Sequence, residues 1–363
     1  MRILIDICHP AHVHLYRNFI KEMERLGHQF WITVKNVANS KQLLQFFDIP
    51  FIQIGKKRDS LIGKGFNQLR YNWILQKLVR KNKITVGIGS SITIAQVSKL
   101  TQMRSVIFDE DDDQVEPLFT YLAHPFSDYL LSPDVLINKR RKKSTIYYSG
   151  YHELAYLHPK RFKLDPGVIR RIGLKPGEKY FILRFNAFKA YHDHGVSGLS
   201  LQNKRRLIAK LKEKGKVFIT MERELEPEFE QYRLKISAEN IHSLIYHATM
   251  LIGDSQTMTT EAAILGTPAL KCNSFAGKLA VPNEIEDKYQ LCFSFQPTEV
   301  DGMFEKMEKL LANKDLKAIW RERRAKMLQD KIDVTAFMVW FIENLPKSAE
   351  IMKKDSEYQE RFK

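Results

Sequence analysis

The sequence predicts an α/β protein made of two doubly wound domains that face each other across a cleft. Short apolar runs alternate with amphipathic segments twice along the chain, first over residues 2–109 and again from residue 179 onwards. Strands that alternate with helices indicate a parallel sheet covered by helices on both faces. At 363 residues the chain can form two such domains, each with its own core.

The first domain begins with a strand, helix and strand. RILIDI is followed by the turn HPAH and by a helix in which apolar residues from Val13 to Met23 recur at intervals of three and four. Gly27 ends this helix before the strand QFWITV. The alternation continues with the helix KQLLQFFDI, the strand PFIQI, a long helix at 66–81, the strand ITVGIG, the helix SITIAQVSKLT and the strand RSVIFD.

A change of composition separates the two domains. Residues 147–178 are rich in Pro, Gly and Lys without a sustained period, and we interpret them as the connection. The second series begins at KYFILRF (179–185) and includes the helix LSLQNKRRLIAKLKEKG, the strands KVFITM and TMLIGD, and the strand PALKC. We predict a first domain over 1–160, a second over 161–333, and a C-terminal helical segment, 334–363, that joins the first.

Composition limits the class of protein and of partner. The formal charge of +16 attracts polyanions, and the basic residues cluster at 55–83 and 138–143. These clusters are either solvated faces or, at 55–83, a contact for a membrane surface or lipid phosphate. No nucleic acid partner is expected, since no RNA-recognition, zinc-finger or KH signature is present. The three scattered cysteines and the absence of a leader or long apolar run favour the cytoplasm.

The strongest local pattern is LIGDSQTMTTEAAILGTPAL, which reads strand, polar turn, helix and strand. The turn leaves backbone N–H groups at the positive end of a helix, where a phosphate would satisfy both the donors and the charge. Ser255, Thr257 and Thr259 add hydroxyls, and Glu261 lies within reach of a sugar hydroxyl. The alternative is an ordinary helix cap formed by Asp254 or Ser255.

This segment resembles the diphosphate motif of the two-domain GT-B superfamily, especially of UDP-N-acetylglucosamine 2-epimerases. The spacing from Asp254 to Glu261 matches, although the epimerases have two glycines where this chain has Gln256 and Thr257. The resemblance implies that Ser255, Gln256 and Thr257 hold a diphosphate and that Glu261 holds ribose hydroxyls. The chain is also similar to the family called domain of unknown function 354. The similarity covers this segment together with IDICHPAHVHLYRNFIKEMERLGH, GYHELAYLHP and LRFNAFKAYHDHGVSGLS. That family implies a GT-B-like fold of two Rossmann-like domains and a sugar-nucleotide role.

Two further segments supply candidate acid/base groups. RFNAFKAYHDHG follows the first strand of the second domain, so Arg184 could neutralise phosphate and His192, Asp193 or His194 could move a proton, unless this is a solvated loop. VIFDEDDDQVEP follows a strand of the first domain, where its carboxylates could bind a divalent cation or act as a base. Since GT-B enzymes generally need no metal, we favour a carboxylate role for Asp109 or Glu110. No cofactor is predicted.

The stretch IDICHPAHVH does not read as a metal site. Around a helix that starts near Ala11, His12 and His14 lie about 200° apart and cannot share one ion. His14 shares a face with polar residues and is predicted to be the freer base, whereas His12 extends the apolar row and is predicted to be partly packed.

These observations predict a GT-B-type glycosyltransferase that uses a nucleotide-diphosphate sugar, with UDP as the expected nucleotide, in surface polysaccharide or glycolipid assembly. A sugar-nucleotide epimerase on the same scaffold and a non-catalytic nucleotide-binding protein are the alternatives. The acceptor could be lipid-linked or anionic at the inner face of the membrane. The sequence is also compatible with a homodimer. The predicted catalytic residues are His14, His12, Asp109, His192 and Asp193, and the predicted nucleotide-sugar-binding residues are Arg184, His242, Asp254, Ser255, Gln256, Thr257, Met258 and Glu261.

Overall fold

Two compact units make up the chain in a computed structural model that describes residues 1–35, 37–55, 61–185, 198–221 and 225–363. The first unit is Met1–Arg161 together with Asp330–Lys363, and the second is Phe162–Gln329. Each contains parallel strands with helices between them, so the predicted α/β class is confirmed. No helix in the described ranges is long and apolar enough to cross a bilayer.

The first unit has a seven-stranded sheet in the order β3-β2-β1-β4-β5-β6-β7, in which every described pair is parallel. The order reverses at β1 and β4, and ligands bind such sheets outside the carboxyl ends of the strands at this point. The strands are β1 Arg2–Ile7, β2 Gln29–Val34, β3 Ile52–Gln53, β4 Val86–Ile88, β5 Arg104–Phe108, β6 Tyr129–Pro133 and β7 Ile146–Tyr148.

Helices follow these strands, and the first shows why the sequence folds this way. Pro10 occupies the first turn of α1, and His9 caps it by accepting a hydrogen bond of 3.2 Å from the Ala11 amide at Nδ1. The predicted apolar row of α1 is buried, and Gly27 follows with φ of +84°. The helices are α1 Pro10–Arg25, α2 Ala38–Phe46, α3 Leu61–Asn82, α4 Ile92–Ser98, α5 Pro117–Leu122 and α6 Leu154–Leu157.

The stretch interpreted as a connection contains regular structure. The end of β7 and the whole of α6 lie inside 147–178, and Leu154, Ala155, Tyr156 and Leu157 of α6 are all buried. A one-turn helix buried on every side has no polar face, so it leaves no periodic signal in the sequence.

The second unit has a five-stranded parallel sheet in the order β12-β11-β10-β8-β9. Its strands are β8 Tyr180–Arg184, β9 Lys216–Thr220, β10 Met250–Gly253, β11 Ala269–Cys272 and β12 Cys292–Phe295. Its helices are α7 Val168–Arg171, α8 Leu201–Lys212, α9 Ile241–His247, α10 Gln256–Leu265, α11 Ala280–Asp287, α12 Val300–Ala312 and α13 Leu316–Asp330.

The C-terminal helices α14 (Val334–Glu343) and α15 (Lys347–Lys354) pack within the first unit. Helix α14 lies against α1 and α6, where Thr335 donates a 2.7 Å hydrogen bond to the Ala155 carbonyl. The Phe337 ring stacks on Tyr148 at 5.6 Å between centroids. Helix α14, near the C-terminus, therefore packs in the same core as α1, near the N-terminus.

Candidate functional site

The carboxyl end of β10 leads directly into α10, as the sequence predicts. Ser255 is the cap residue, and its Oγ accepts a hydrogen bond of 3.5 Å from the Met258 amide. Thr259 Oγ1 donates a 2.7 Å hydrogen bond back to the Ser255 carbonyl, which fixes the first turn. A cap of this kind satisfies one of about four unpaired amides at a helix start, so the capping and the anion-binding interpretations of this turn are compatible.

A glycine brings a further predicted residue to this turn. Gly253 lies opposite Arg184 at the ends of β10 and β8, and the Asp254 amide donates a 3.0 Å hydrogen bond to the Arg184 carbonyl. A Cβ on Gly253 would lie only 2.0 Å from that carbonyl oxygen, so no other residue fits without moving one strand. The close approach of the two strand ends places Arg184 next to the turn that begins α10.

The structure pairs two predicted binding residues, His242 and Glu261. His242 Nε2 on α9 lies 2.9 Å from Glu261 Oε1 on α10, and both side chains are buried. A buried carboxylate needs a hydrogen-bonding partner, and His242 supplies one. Glu261 is thereby held inside the second unit, one helical turn beyond the polar segment.

Sequence reasoning missed Lys271, which lies at the end of β11 and is almost completely buried. Its ammonium group hydrogen-bonds to Gln256 Oε1 at the first position of α10. Burial lowers the pKa of Lys271 to about 8. The signal in the sequence is a single charged letter in the otherwise apolar strand ALKC.

In the first unit, the ends of three adjacent strands meet around the buried Asp6. Its carboxylate accepts hydrogen bonds from Ser91 at 2.5 Å and from Thr33 at 2.8 Å. Cys8 lies beside it, with Sγ 3.6 Å from Asp6 Oδ2. Asp6 therefore ties the turns after β1 and β4 together, a structural role that was not predicted.

The predicted catalytic residue Asp109 is part of a buried ionic network. His124 Nε2 lies 2.8 Å and Arg140 NH1 3.1 Å from its Oδ2, and Arg140 also lies 2.6 Å from Asp113. Burial acts to raise the pKa of Asp109, but the His124 hydrogen bond and the Arg140 charge outweigh it and hold the pKa low. Asp109 is thus a fixed anion whose lone pairs are already engaged.

Asp109, Asp113 and His124 are also close enough to be considered as metal ligands. One ligand atom from each lies within 4.8 Å of the others. The Arg140 guanidinium already bridges the two carboxylates, and it donates to the carbonyls of Asp109 and Asp111 as well. The positive charge that a metal would supply is therefore provided by Arg140.

Glu110, the next residue, has a different environment. It accepts a 2.9 Å hydrogen bond from the His152 amide, and His152 Nδ1 lies 3.3 Å from its other oxygen. Burial, together with the charge of Asp109, raises the pKa of Glu110 to about 7. Because 22% of its side chain remains exposed, this carboxyl can exchange protons near neutral pH.

The structure buries His14, the histidine that was predicted to be the freer base. His14 is only 6% exposed and packs against Tyr156 at 5.3 Å and Phe47 at 5.9 Å, so the prediction that it is the freer base is wrong. Phe47 and Tyr156 come from other parts of the chain and cover the face of α1 that reads as polar. His12 is half-buried beside the Cys8 amide, and burial lowers its pKa to about 3.

The predicted residues His192 and Asp193 lie outside the described residues, as does His194. A cavity of about 910 Å³ in the second unit lies elsewhere, at the amino end of β8. It is lined by residues that include Lys179, Tyr180, Lys214, His247 and Lys317. Because parallel sheets bind ligands at the opposite end of their strands, we assign the candidate site to the turn before α10.

The sequence matches one protein family and one curated relative. The sequence profile of the family described as protein of unknown function (DUF354) matches residues 1–341. An uncharacterized protein of Methanocaldococcus jannaschii is 24% identical over 283 residues, which is 74% of this chain and 81% of that protein.

Solved structures show the same architecture. The UDP-GlcNAc 2-epimerase of Neisseria meningitidis, bound to UDP-GlcNAc, gives a TM-score of 0.66 at 12% identity and covers 95% of this chain and 100% of its own. The glycosyltransferase SsfS6 of Streptomyces sp. SF2575, in complex with thymidine diphosphate, gives 0.60 at 12% identity over 94% of this chain and 99% of its own. The predicted GT-B-like fold is confirmed.

Proposed function

This chain belongs to the DUF354 family, and on that premise we propose that it is a GT-B-type glycosyltransferase that uses a nucleotide-diphosphate sugar, most simply a UDP sugar. The observation that carries the proposal is the Ser255-capped start of α10, followed six residues later by Glu261, which is held by His242. An anion-binding helix start with a carboxylate at this distance suits a diphosphate and the ribose attached to it.

In the proposed reaction the second unit binds the leaving group. The amides at the start of α10 and the hydroxyls of Ser255 and Thr257 contact the diphosphate, and Glu261 accepts hydrogen bonds from ribose hydroxyls. The helix dipole stabilises the charge that grows on the diphosphate as its bond to the sugar breaks. Arg184 at the end of β8 adds positive charge. A metal is not required in this scheme.

The proposed base is a carboxyl group. We assign this role to Glu110, because Asp109 is held as an anion by Arg140 and His124. With a pKa of about 7, a large fraction of Glu110 is carboxylate at neutral pH and can take the proton of an acceptor hydroxyl. His152, which touches Glu110, keeps that carboxyl in place.

An epimerase remains the second candidate, and the contact between Glu110 and His152 favours it. A carboxyl group that titrates near neutral pH, held beside the His152 imidazole, could remove and return a proton on a sugar. The two candidates differ in what they need. An epimerase would convert UDP-N-acetylglucosamine alone, whereas a transferase would release UDP only when an acceptor is added.

The acceptor in our proposal is anionic or lipid-linked and belongs to surface polysaccharide or glycolipid assembly. Helix α3 presents Leu69, Arg70, Trp73 and Lys77 to solvent, which combines exposed apolar and basic groups. The Lys77 ammonium lies 3.6 Å from the centre of the Trp73 ring. Surfaces of this composition suit a lipid phosphate.

The first test is a thermal-shift panel of nucleotides and nucleotide sugars. A ligand present at 100 times its Kd stabilises the folded state by about 2.7 kcal/mol, so UDP should raise the unfolding temperature and uridine should not. Added EDTA should leave the shift unchanged. If no nucleoside diphosphate raises the unfolding temperature, the glycosyltransferase and the epimerase are both rejected.

A further inference from the structure

Lys271 carries a buried positive charge at the candidate site. It lies at the carboxyl end of β11, opposite Gly253 of β10, and only 1% of it is exposed. No carboxylate of the described ranges lies within 4 Å of its ammonium group. Lysines are almost never buried without a paired anion. The fold thus holds a cation here that forms no ion pair with a carboxylate of the described residues.

The contact between Lys271 and Gln256 fixes the orientation of the Gln256 carboxamide. An ammonium can only donate hydrogen bonds, so the atom of the Gln256 carboxamide that faces Lys271 must be the oxygen. The amide nitrogen, Nε2, therefore points away from Lys271. It is buried and has no hydrogen-bond acceptor among the residues that the structure describes. An unmade hydrogen bond of this kind is unfavourable until an acceptor binds.

Two titratable groups face Lys271 without forming an ion pair with it. Glu286 on α11 and Cys292 on β12 face it, as does Gln256 on α10. Burial raises the pKa of Glu286, and it raises the pKa of the Cys292 thiol to about 12, so that thiol is neutral at physiological pH. A cation, an unsatisfied amide donor and a helix start therefore converge, and each of them favours an anion.

We propose that Lys271 is a positioning residue for the nucleotide diphosphate: it holds the Gln256 carboxamide by its oxygen, so that the amide nitrogen donates to an anionic oxygen of the ligand at the start of α10. This inference rests on the proposed function. It also explains how this turn could bind a diphosphate with Gln256 at a position where the epimerases, whose motif it resembles, have glycine. A side-chain donor replaces the close backbone approach that glycine would permit.

The role of Lys271 makes nucleotide binding depend on pH. In the free protein Lys271 loses its proton near pH 8, where burial has placed its pKa. A bound diphosphate favours the charged form, so binding above this pH must take up a proton. UDP affinity should consequently fall with rising pH above 8, by up to about tenfold per pH unit.

The experiment is calorimetric titration of the full chain with UDP between pH 7 and 9.5. The wild type should lose affinity above pH 8 and take up a proton, seen as a dependence of the heat on the buffer. Lys271→Arg, which stays charged, should bind UDP with little change over this range. Lys271→Met should bind about tenfold more weakly at pH 7 and show no such proton uptake. Lys278→Met, at an exposed lysine, should match the wild type.

A second cycle tests the path through Gln256. If Lys271 acts by orienting Gln256, the two substitutions remove the same contact with UDP. The double variant Gln256→Ala, Lys271→Met should then lose no more UDP affinity than whichever single variant binds UDP more weakly. Losses that add, or a pH dependence that survives in Lys271→Arg, would overturn the role of Lys271 and leave the proposed function standing. If the wild type binds no UDP, the proposed function fails and this inference with it. Lys271→Arg keeps the charge, so the test stands even if Lys271→Met does not fold.

Discussion

Asp109 and Glu110 are consecutive carboxylates whose surroundings set them to different charge states. Asp109 meets Arg140 and His124, which hold it as an anion. Glu110 meets the amide and ring of His152 and has no cation at hydrogen-bonding distance among the described residues. A group that serves as a base near neutral pH must be free to change its charge, so Glu110 suits that role and Asp109 does not.

The raised pKa of Glu110 predicts how stability depends on pH. Its pKa in the folded protein is about 7, above the ordinary value of 4.5 for a glutamate, so the folded state binds the proton more tightly. The stabilisation by protonated Glu110 is complete at a pH below its pKa in the unfolded chain, and it is lost as the pH rises through 7. Relative to Glu110→Gln, the wild type should lose at most about 3 kcal/mol of unfolding free energy between pH 4.5 and 8.

Urea unfolding of both proteins across that pH range measures the difference. Glu24→Gln, at an exposed carboxylate on α1, serves as the control and should follow the wild type. In activity assays Glu110→Gln should lower kcat by about 100-fold or more. A wild type and a Glu110→Gln variant with parallel pH profiles of stability would show that Glu110 does not titrate near neutrality.

Arg140 predicts a second effect at the scale of one residue. Its buried guanidinium contacts Asp109 and Asp113, and Arg140→Met would leave both carboxylates without their cation. Breaking a buried ion pair from one side costs about 3–5 kcal/mol of stability. Arg141→Met is the matched control, because Arg141 is exposed and stacks on Tyr121 at 4.6 Å. A loss below about 1 kcal/mol on urea unfolding would contradict the role of Arg140.

At the scale of elements, helix α10 combines a stabilising cap with a proposed binding role. Ser255 caps α10 and Ser200 caps α8 in the same unit through the same kind of hydrogen bond. Each Ser→Ala change should cost about 0.5–2 kcal/mol of stability. If the start of α10 binds the diphosphate, only Ser255→Ala should also weaken UDP binding, by about tenfold.

Thermal unfolding and UDP titration of the two variants separate these effects. Equal stability losses with a loss of affinity in Ser255→Ala alone support the site. Equal affinities in Ser255→Ala and Ser200→Ala would show that the cap of α10 is structural only, since both variants remove one hydroxyl from one helix start.

Helix α1 shows how packing decides which side chains are accessible. His12 and His14 are two positions apart, so they point to different faces of the helix. The face of His14 reads as polar, yet Phe47 and Tyr156 cover it. Both contacts come from residues far along the chain, and the periodicity of α1 carries no information about them.

For the whole molecule, the net charge of +16 predicts association with anionic lipid surfaces. The exposed residues of α3 would direct the contact, since Leu69 is 67% and Trp73 55% exposed. Sedimentation with vesicles should recover the protein on membranes that contain anionic phospholipid and not on neutral ones, and added salt should release it.

Trp73→Ala should weaken vesicle binding several-fold, because the ring would insert at the interface. Leu118→Ala is the control, since Leu118 is similarly exposed on α5 of the same unit. If both variants bind as the wild type does, α3 is a solvated face and the acceptor is not presented on a membrane through this helix.

The amino-acid sequence alone predicts the α/β class, the order of most strands and helices, and the strand, turn and helix that begin at Met250. These features follow from periodicity and capping, which depend on residues close together in the chain. The family resemblance was visible for the same reason, because its motifs are short and contiguous.

The folded structure is needed to show which candidate side chains are engaged and which are exposed. Phe47 and Tyr156 bury His14, Arg140 fixes Asp109, and Lys271 reaches Gln256 from another strand. Each of these contacts joins residues that are distant in the chain, and burial then sets the pKa values of Glu110 and Lys271. The charge state of a site depends on its surroundings in space, and the fold alone assembles those surroundings.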